Sequence, residues 1–227
     1  MALAGTGAIC IWNAITPEGR DDFYEWHIHE HMPERVAIPG FLRGRRYIAI
    51  TPETSPEFFT LYETTNVDVT TSAPYLERLN APTDWTLRAT SHFRDTSRAL
   101  TRVVATHGPG SGGVLATLRF LDTPEGQYAL QAIEENAAAL ADCQRTAQKI
   151  TGVHLCVTNT GASRAKTAES RHRNDILAAP IGALLIEGCT LAAVQAAIQA
   201  LAQNAKLRSA LASAVAGYYQ IEYTRNQ

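Results

Sequence analysis

Apolar and polar positions along the chain predict strand-like runs and helix-like stripes that occur twice in the same order. An apolar run over residues 8–14 and a second over residues 114–121 each predict a buried strand. Each run is followed by the tetrapeptide Thr-Pro-Glu-Gly, at positions 16–19 and 123–126. Threonine is a favoured helix N-cap, proline suits the first helical position and glutamate favours the first turn. We therefore expect a helix to begin after each of these strands.

The pattern downstream of each predicted helix continues the repetition. Pro39-Gly40 and Thr151-Gly152 predict turns, and the apolar runs after them predict strands. The further strands are expected at 41–51, 57–64 and 99–106, and then at 153–159, 181–188 and 218–224. The further helical segments are expected at 68–79 and 82–93, and then at 190–203 and 205–215. The order is therefore β-α-β-β-α-β twice, which is the order of a ferredoxin-like unit.

The fold class that this order predicts is α+β, with two tandem ferredoxin-like βαββαβ units. A four-stranded sheet covered by helices on one face leaves its other face bare, and that face must be buried. We expect the two sheets to pack against each other as an α/β barrel within one chain. The expected units are residues 1–107 and a degenerate copy at 114–227, joined by a glycine-rich linker at 108–113. Two independent domains are the alternative, which the short linker and the bare sheet faces disfavour.

Composition and charge narrow the classes of partner. The chain has 227 residues and a formal net charge of -2, so we expect neither nucleic acid nor a membrane as partner. Residues 1–7 include no basic residue and the apolar stretch after them ends by Ile15, which favours a cytoplasmic location. The four cysteines form no C-x-x-C pair, so neither a zinc site nor a redox dithiol is indicated. A homodimer is left open.

A basic stretch lies within residues 158–174. It is either a solvated loop or a mobile flap that neutralises an anionic substrate. Its basic residues are Arg164, Lys166, Arg171 and Arg173.

The segment over residues 23–34 concentrates the candidate chemistry, because it holds three of the seven histidines within five residues. At 100° per residue, His27 and His31 share one helix face with Phe23, whereas His29 points the other way. Histidine is costly to bury unless it is hydrogen-bonded, so two histidines on a face directed at a sheet are unusual. His31 and His27 are therefore the candidate catalytic residues.

Pro33 should end or kink this helix near His31. That would place His31 at a helix C-terminus, with its ring free to project into a pocket. Three interpretations of the histidines stay open: partly exposed side chains with satisfied hydrogen bonds, acid–base groups that line a pocket, or metal ligands at i, i+4 spacing. No third metal ligand is indicated by the spacing, so we expect no metal.

Short motifs in the first half resemble the EthD-like and related stress-responsive families of dimeric α/β-barrel proteins. The resemblance covers mainly residues 8–106 and is carried by an aromatic-rich helix, an H-x-P triplet, a P-G turn and an R-Y strand. The matching residues are Phe23, Trp26, His31-Met32-Pro33, Pro39-Gly40 and Arg45-Arg46-Tyr47. The resemblance implies the same barrel fold and a pocket between the helices and the outer face of the sheet. These families include cofactor-free isomerases, cyclases and small monooxygenases, so the fold alone does not select a reaction.

Further polar residues on the predicted elements are candidates for substrate binding. Alternation along the strand at 41–51 places Arg43, Arg45 and Tyr47 on one face and Arg46 on the other. The next strand places Tyr62 and Glu63 on opposite faces, and helix periodicity places Trp85, Arg88 and His92 on one face. The candidate set is Trp26, Arg43, Arg45, Arg46, Tyr47, Tyr62, Trp85, Arg88 and His92.

Two classes of function are expected from these residues. The first is a cofactor-free enzyme that uses histidine acid–base chemistry on a small aromatic or lactone-like, carboxylated molecule, as an isomerase, cyclase, lyase or cofactor-free monooxygenase. The second is a non-catalytic barrel that binds a small ligand or haem through a histidine. The colour of the purified protein separates haem from the other ligands.

Overall fold

The strands close into an eight-stranded barrel in which every neighbouring pair is antiparallel. This computed structural model describes residues 3–163, 168 and 176–227. The strands are β1 Gly7–Ile15, β2 Phe41–Ala49, β3 Phe58–Thr64, β4 Phe93–His107, β5 Val114–Phe120, β6 Ile150–Thr158, β7 Gly182–Gly188 and β8 Val215–Asn226. The prediction of an α+β fold with a barrel formed by one chain is confirmed.

Each half of the chain contributes four adjacent strands in the same spatial order. The barrel runs β4-β1-β3-β2 and then β8-β5-β7-β6, and it closes through the pairs β2–β8 and β4–β6. The glycine-rich linker packs on one end of the barrel, where the amide of Gly112 donates to Glu187 Oε2 at 2.9 Å. The domain boundaries and the division into two tandem βαββαβ units remain predictions.

The helices lie outside the barrel. Among the described residues they are α1 Arg20–Trp26, α2 Met32–Val36, α3 Ala73–Asn80, α4 Asp84–Ser91, α5 Pro124–Glu135, α6 Ala137–Thr146, α7 Thr160–Ser163, α8 Leu191–Leu201 and α9 Ala205–Ser213. Short 3-10 turns at Pro17–Gly19 and Val67–Thr71 precede α1 and α3. In the described part of the chain, no helix combines the length and the apolar character needed to cross a membrane.

The two Thr-Pro-Glu-Gly segments start their helices differently. The Thr123 side chain accepts from the amide of Gly126, as an N-cap should. The Thr16 side chain instead bonds His92 Nδ1 at 2.9 Å, and residues Pro17–Gly19 form a 3-10 turn. The predicted helix start is present in both halves, but only the second is capped by its threonine.

Pro33 was predicted to end or kink the helix near His31, and the helix does not end there. A π-helical turn at His27–His31 connects α1 directly to α2, and Pro33 lies in the first turn of α2. In a regular α-helix, the ring of Pro33 would clash with the preceding turn, and its nitrogen has no proton to donate to that turn. The wider π-helical turn before Pro33 accommodates both. The helical segment therefore continues to Val36 and adds a further turn of side chains to the outer layer.

The barrel interior contains a buried ionic network that joins the two halves. Arg45 donates two hydrogen bonds to Glu187 of β7, at 2.9 and 3.0 Å, and lies 3.0 Å from Glu63 of β3. Arg43 donates to both oxygens of Glu63 at 2.8 Å. Burial would raise the pKa of Glu187, but Arg45 and His154 lower it to about 2. The carboxylate of Glu187 is therefore held ionised although it is fully buried.

Candidate functional site

A cavity lies between the first helical segment, α3 and the outer face of strands β1, β3 and β4. Its free volume is about 30 Å³, which is room for a small number of water-sized groups. The wall residues that carry polar atoms are Asn13, Trp26, His27, His31, Arg35, Thr60, Tyr62, Tyr75 and Arg98. The remaining described wall is apolar and is formed by Ile11, Phe23, Leu79 and Phe93.

The π-helical turn directs two imidazoles into this cavity. His27 and His31 are 3% and 6% exposed, and their ring centroids are 5.5 Å apart. His29 is on the opposite side, where it is exposed and lies 3.4 Å from Glu25. Helix periodicity predicted this division, and the extra residue of the π turn does not disturb it. Such turns are frequent at functional sites because they re-aim side chains within a helix.

Aromatic rings surround both imidazoles. The Trp26 ring lies 4.2 Å from the His31 ring at an interplanar angle of 34°, and Phe23 lies 5.3 Å from His27. The Tyr62 ring approaches His31 edge-on at 6.3 Å. These ring contacts restrict the orientation of both imidazoles.

Hydrogen bonds fix the orientation of the tryptophan that stacks on His31. The Trp26 indole donates to Thr86 Oγ1 of α4 at 3.1 Å, and Thr86 donates to Glu30 at 3.2 Å. Thr83, the N-cap of α4, also donates to Glu30. The carboxylate of Glu30 therefore anchors α4 and, through Thr86, the plane of the Trp26 ring.

The cavity favours a neutral His27. Burial is the largest cause, and the guanidinium groups of Arg46 and Arg35 add to it, so that the pKa of His27 lies well below its usual value. His27 Nδ1 is buried and has no hydrogen-bond partner among the described residues. The same holds for Asn13 Nδ2. The wall therefore presents a neutral imidazole and an amide donor beside the cations Arg35 and Arg98.

The structure brings four predicted residues to the cavity: His31, His27, Trp26 and Tyr62. Arg46 lies on the outer face of β2 behind Phe23, where its Cζ is 5.6 Å from the Phe23 ring.

The other predicted binding residues lie elsewhere. Arg43, Arg45 and Tyr47 alternate as predicted, but closure of the barrel places their face inside. Trp85 and Arg88 both donate to Asp22 on the outer surface. His92 is held by Thr16 and does not line the cavity. For these residues, the sequence predicted which side chains share a face of the strand or helix. It did not predict whether that face is turned toward the cavity.

Asn13, Arg35 and Arg98 are wall residues that were not predicted from the sequence. Asn13 follows Ile9 and Ile11 on the outer face of β1, and the period of two along this strand could have identified it. Arg35 lies beyond Pro33, in a turn of helix that was expected not to form. No comparable signal marks Arg98, which lies in the part of β4 that extends before the predicted start of that strand.

No group of three or more His, Cys, Asp or Glu side chains within residues 3–163, 168 and 176–227 is arranged to hold a metal ion. The basic residues Arg164, Lys166, Arg171 and Arg173 lie outside the described residues. The flap hypothesis for that stretch is therefore untested.

Comparison with known proteins gives likeness in structure only. No family model and no curated protein matches the chain. An anthrone oxidase-like protein superposes with a TM-score of 0.62 at 12% identity, over 97% of this chain and 92% of that one. A candidate monooxygenase from Fusobacterium nucleatum superposes with a TM-score of 0.52 at 8% identity, over 99% and 96% of the two chains. A chlorite dismutase from Candidatus Nitrospira defluvii does so with 0.52 at 8% identity, over 95% and 91%. Identities this low show only that the fold is shared.

Proposed function

We propose that this chain is an enzyme that binds a small aromatic molecule in the first-half cavity and moves a proton through His31 without a cofactor. The observation that carries the proposal is the pair of buried imidazoles that face one cavity and stack on aromatic rings. A cavity that contains a buried histidine with a strongly lowered pKa is a candidate active site.

The roles follow from the charges around the cavity. His31 exchanges a proton with the substrate. Of the two histidines, His27 is the one held neutral, and it is therefore able to accept a proton. Removal of a proton next to a carbonyl leaves negative charge on an oxygen. The amide of Asn13 and the cations Arg35 and Arg98 are placed to stabilise an anion of this kind. The substrate class is therefore an enolisable or phenolic aromatic molecule, in which a carboxylate is a further anchor.

The size of the cavity sets a condition on binding. A free volume of about 30 Å³ is far less than the volume of an aromatic substrate. We propose that α3 moves outward to admit the substrate, because Tyr75 and Leu79 of this helix close the cavity. The link from α3 to α2 through Arg78 and Glu34, 3.3 Å apart, is partly exposed and is weak enough to open.

Turnover of anthrone is the first test, since an anthrone oxidase-like protein shares the fold. Anthrone and dioxygen give anthraquinone and water, and the chain would contribute the removal of the acidic ring proton. We expect the purified protein to accelerate anthraquinone formation, with no cofactor added. If neither anthrone nor a panel of enolisable phenols and lactones is turned over or bound, the enzyme proposal fails.

The haem-binding alternative requires a larger opening of the cavity than an aromatic substrate does. A porphyrin is far larger than the free volume of about 30 Å³, and both histidine rings are packed against aromatic neighbours. A visible spectrum of the purified protein tests this alternative directly.

Two finer points belong to the same proposal. We propose that the two halves are copies of one βαββαβ unit, which the shared strand order supports, and that the chain is an EthD-like barrel. The homodimer stays a prediction that light scattering of the purified protein would test.

A further inference from the structure

Arg46 occupies a cage built from both halves of the chain. Its Cζ lies 4.5 Å from the Tyr24 ring, 5.6 Å from Phe23 and 5.9 Å from Tyr223 of β8. Its side chain is 3% exposed, and its Nε lies 3.1 Å from Glu222, also on β8. Glu222 in turn accepts from Tyr24 at 2.9 Å. The second half therefore supplies the carboxylate that holds a buried cation behind the first-half cavity.

Only one aromatic ring separates this cation from His27. Phe23 lies 5.3 Å from the His27 ring on one side and 5.6 Å from the Arg46 guanidinium on the other. Arg46 pairs in the sheet with Thr60, which forms part of the cavity wall. Arg46 Nη1 is buried and has no hydrogen-bond partner among the described residues, so part of its charge is not compensated locally. A cation in such a setting acts strongly on nearby titratable groups.

We propose that Arg46 is a positioning residue for the proposed reaction: its buried charge keeps His27 unprotonated and able to accept a proton, and Glu222 limits the strength of this effect. The inference rests on the proposed function for the use of that proton acceptor. The geometry of the cage does not depend on which substrate is used.

The other charged groups around His27 do not replace Arg46 in this role. The cations are Arg35 of α2 and Arg98 of β4, and the other titratable groups on the wall are the imidazole of His31 and the phenols of Tyr62 and Tyr75. Arg35 acts in the same direction as Arg46, but Arg46 has the larger effect on the pKa of His27. Arg46 is also the cation for which the structure shows a carboxylate from the other half.

The test is an NMR titration of the His27 ring, assigned by its loss in His27→Gln. We expect Arg46→Met to raise the His27 midpoint by about one pH unit or more, because the cation is gone and Glu222 remains. The double variant Arg46→Met, Glu222→Gln should raise it less than the single variant does. Arg119→Met is the matched control, because Arg119 is also a buried arginine over an aromatic ring, 5.4 Å from Trp12, on another part of the barrel.

Should Arg46→Met fail to fold, Arg46→Gln replaces it, because glutamine keeps a donor near Glu222 and removes the charge. A His27 midpoint that is the same in wild type and in the neutral Arg46 variant overturns the inference. So does an equal midpoint in the single and double variants. The titration needs no substrate, so its failure is distinct from a failure of the proposed function, which turnover and ligand binding test.

Discussion

The outer layers of the two halves differ although their strands follow the same order. Aligned on the shared Thr-Pro-Glu-Gly, Asn13 corresponds to Phe120, Phe23 to Leu130 and Trp26 to Ile133. In the second half these positions belong to one apolar cluster that fills the space between α5, α8 and the sheet. In the first half they line the cavity with two histidines.

Buried polar groups show the same contrast. In the described part of the second half they are Thr117, Arg119, His154 and Glu187. All four face the barrel interior, where they contact Trp12, Arg45 or Thr106. The first half, by contrast, buries His27, His31 and Arg35 in its outer layer. The second half closes the barrel and supplies Glu187 and Glu222. Under the proposed function it is a scaffold, and the first half carries the proposed chemistry.

The largest expected effect comes from His31. His31→Ala should lower turnover by about 10²–10⁴-fold, because it removes the group that exchanges a proton with substrate. His29→Ala is the matched control, since His29 is in the same turn but exposed, and it should retain activity. Steady-state rates with the substrate found above give the comparison. Equal rates for the two variants would contradict the assignment of the site to the first half.

The next effect is on stability at the seam between the halves. Arg45→Met should lower the free energy of unfolding by about 3–5 kcal/mol, because it leaves Glu187 buried without its arginine and Glu63 with Arg43 alone. Arg88→Met removes an exposed ion pair with Asp22 and should cost about 1 kcal/mol or less. Urea unfolding of both variants measures the difference. A small loss for Arg45→Met would mean that the ionic network does not hold the halves together.

A smaller effect is expected from pH. The pKa of His27 is lowered in the folded state, so His27 takes up a proton at a higher pH in the unfolded chain than in the folded one. The free energy of unfolding therefore falls as pH drops below about 6.5. The loss is about 1.4 kcal/mol for each pH unit until the folded-state pKa is reached. His27→Gln should flatten this part of the profile between about pH 7 and 5. The control His29→Gln should keep the pH dependence of stability seen in the wild type. A wild-type slope in His27→Gln would show that His27 is not held neutral.

Much of the fold could be predicted because local signals and global order agree. The repeated helix start, the turn glycines and the strand alternation give the element order, and bare sheet faces require the barrel. Helix periodicity correctly placed His27 and His31 together. Strand alternation also placed Arg45 and Arg46 on opposite faces of the sheet. Closure of the barrel decides which face points outward, and the pattern within one strand does not encode this closure.

The remaining errors have local causes. Pro33 was expected to end the helix, but the π turn at His27–His31 absorbs it, and Arg35 reaches the wall only because the helix continues. The contribution of Glu222 depends on the pairing of β2 with β8, between residues 176 positions apart. No pattern within either strand indicates that contact.

The most direct test of the claim that the first half binds the substrate is the location of a bound aromatic ligand. The second half has a wider cleft between α6 and α8, with about 460 Å³ of free volume. Alanines dominate the wall of this cleft, and Lys149 is the ionisable residue among its described lining residues. Anthraquinone titrated into the protein and followed by NMR should shift the Trp26 indole and the His27 and His31 ring signals. Shifts confined to the alanine-lined cleft, with the Trp26 indole unchanged, would contradict the account.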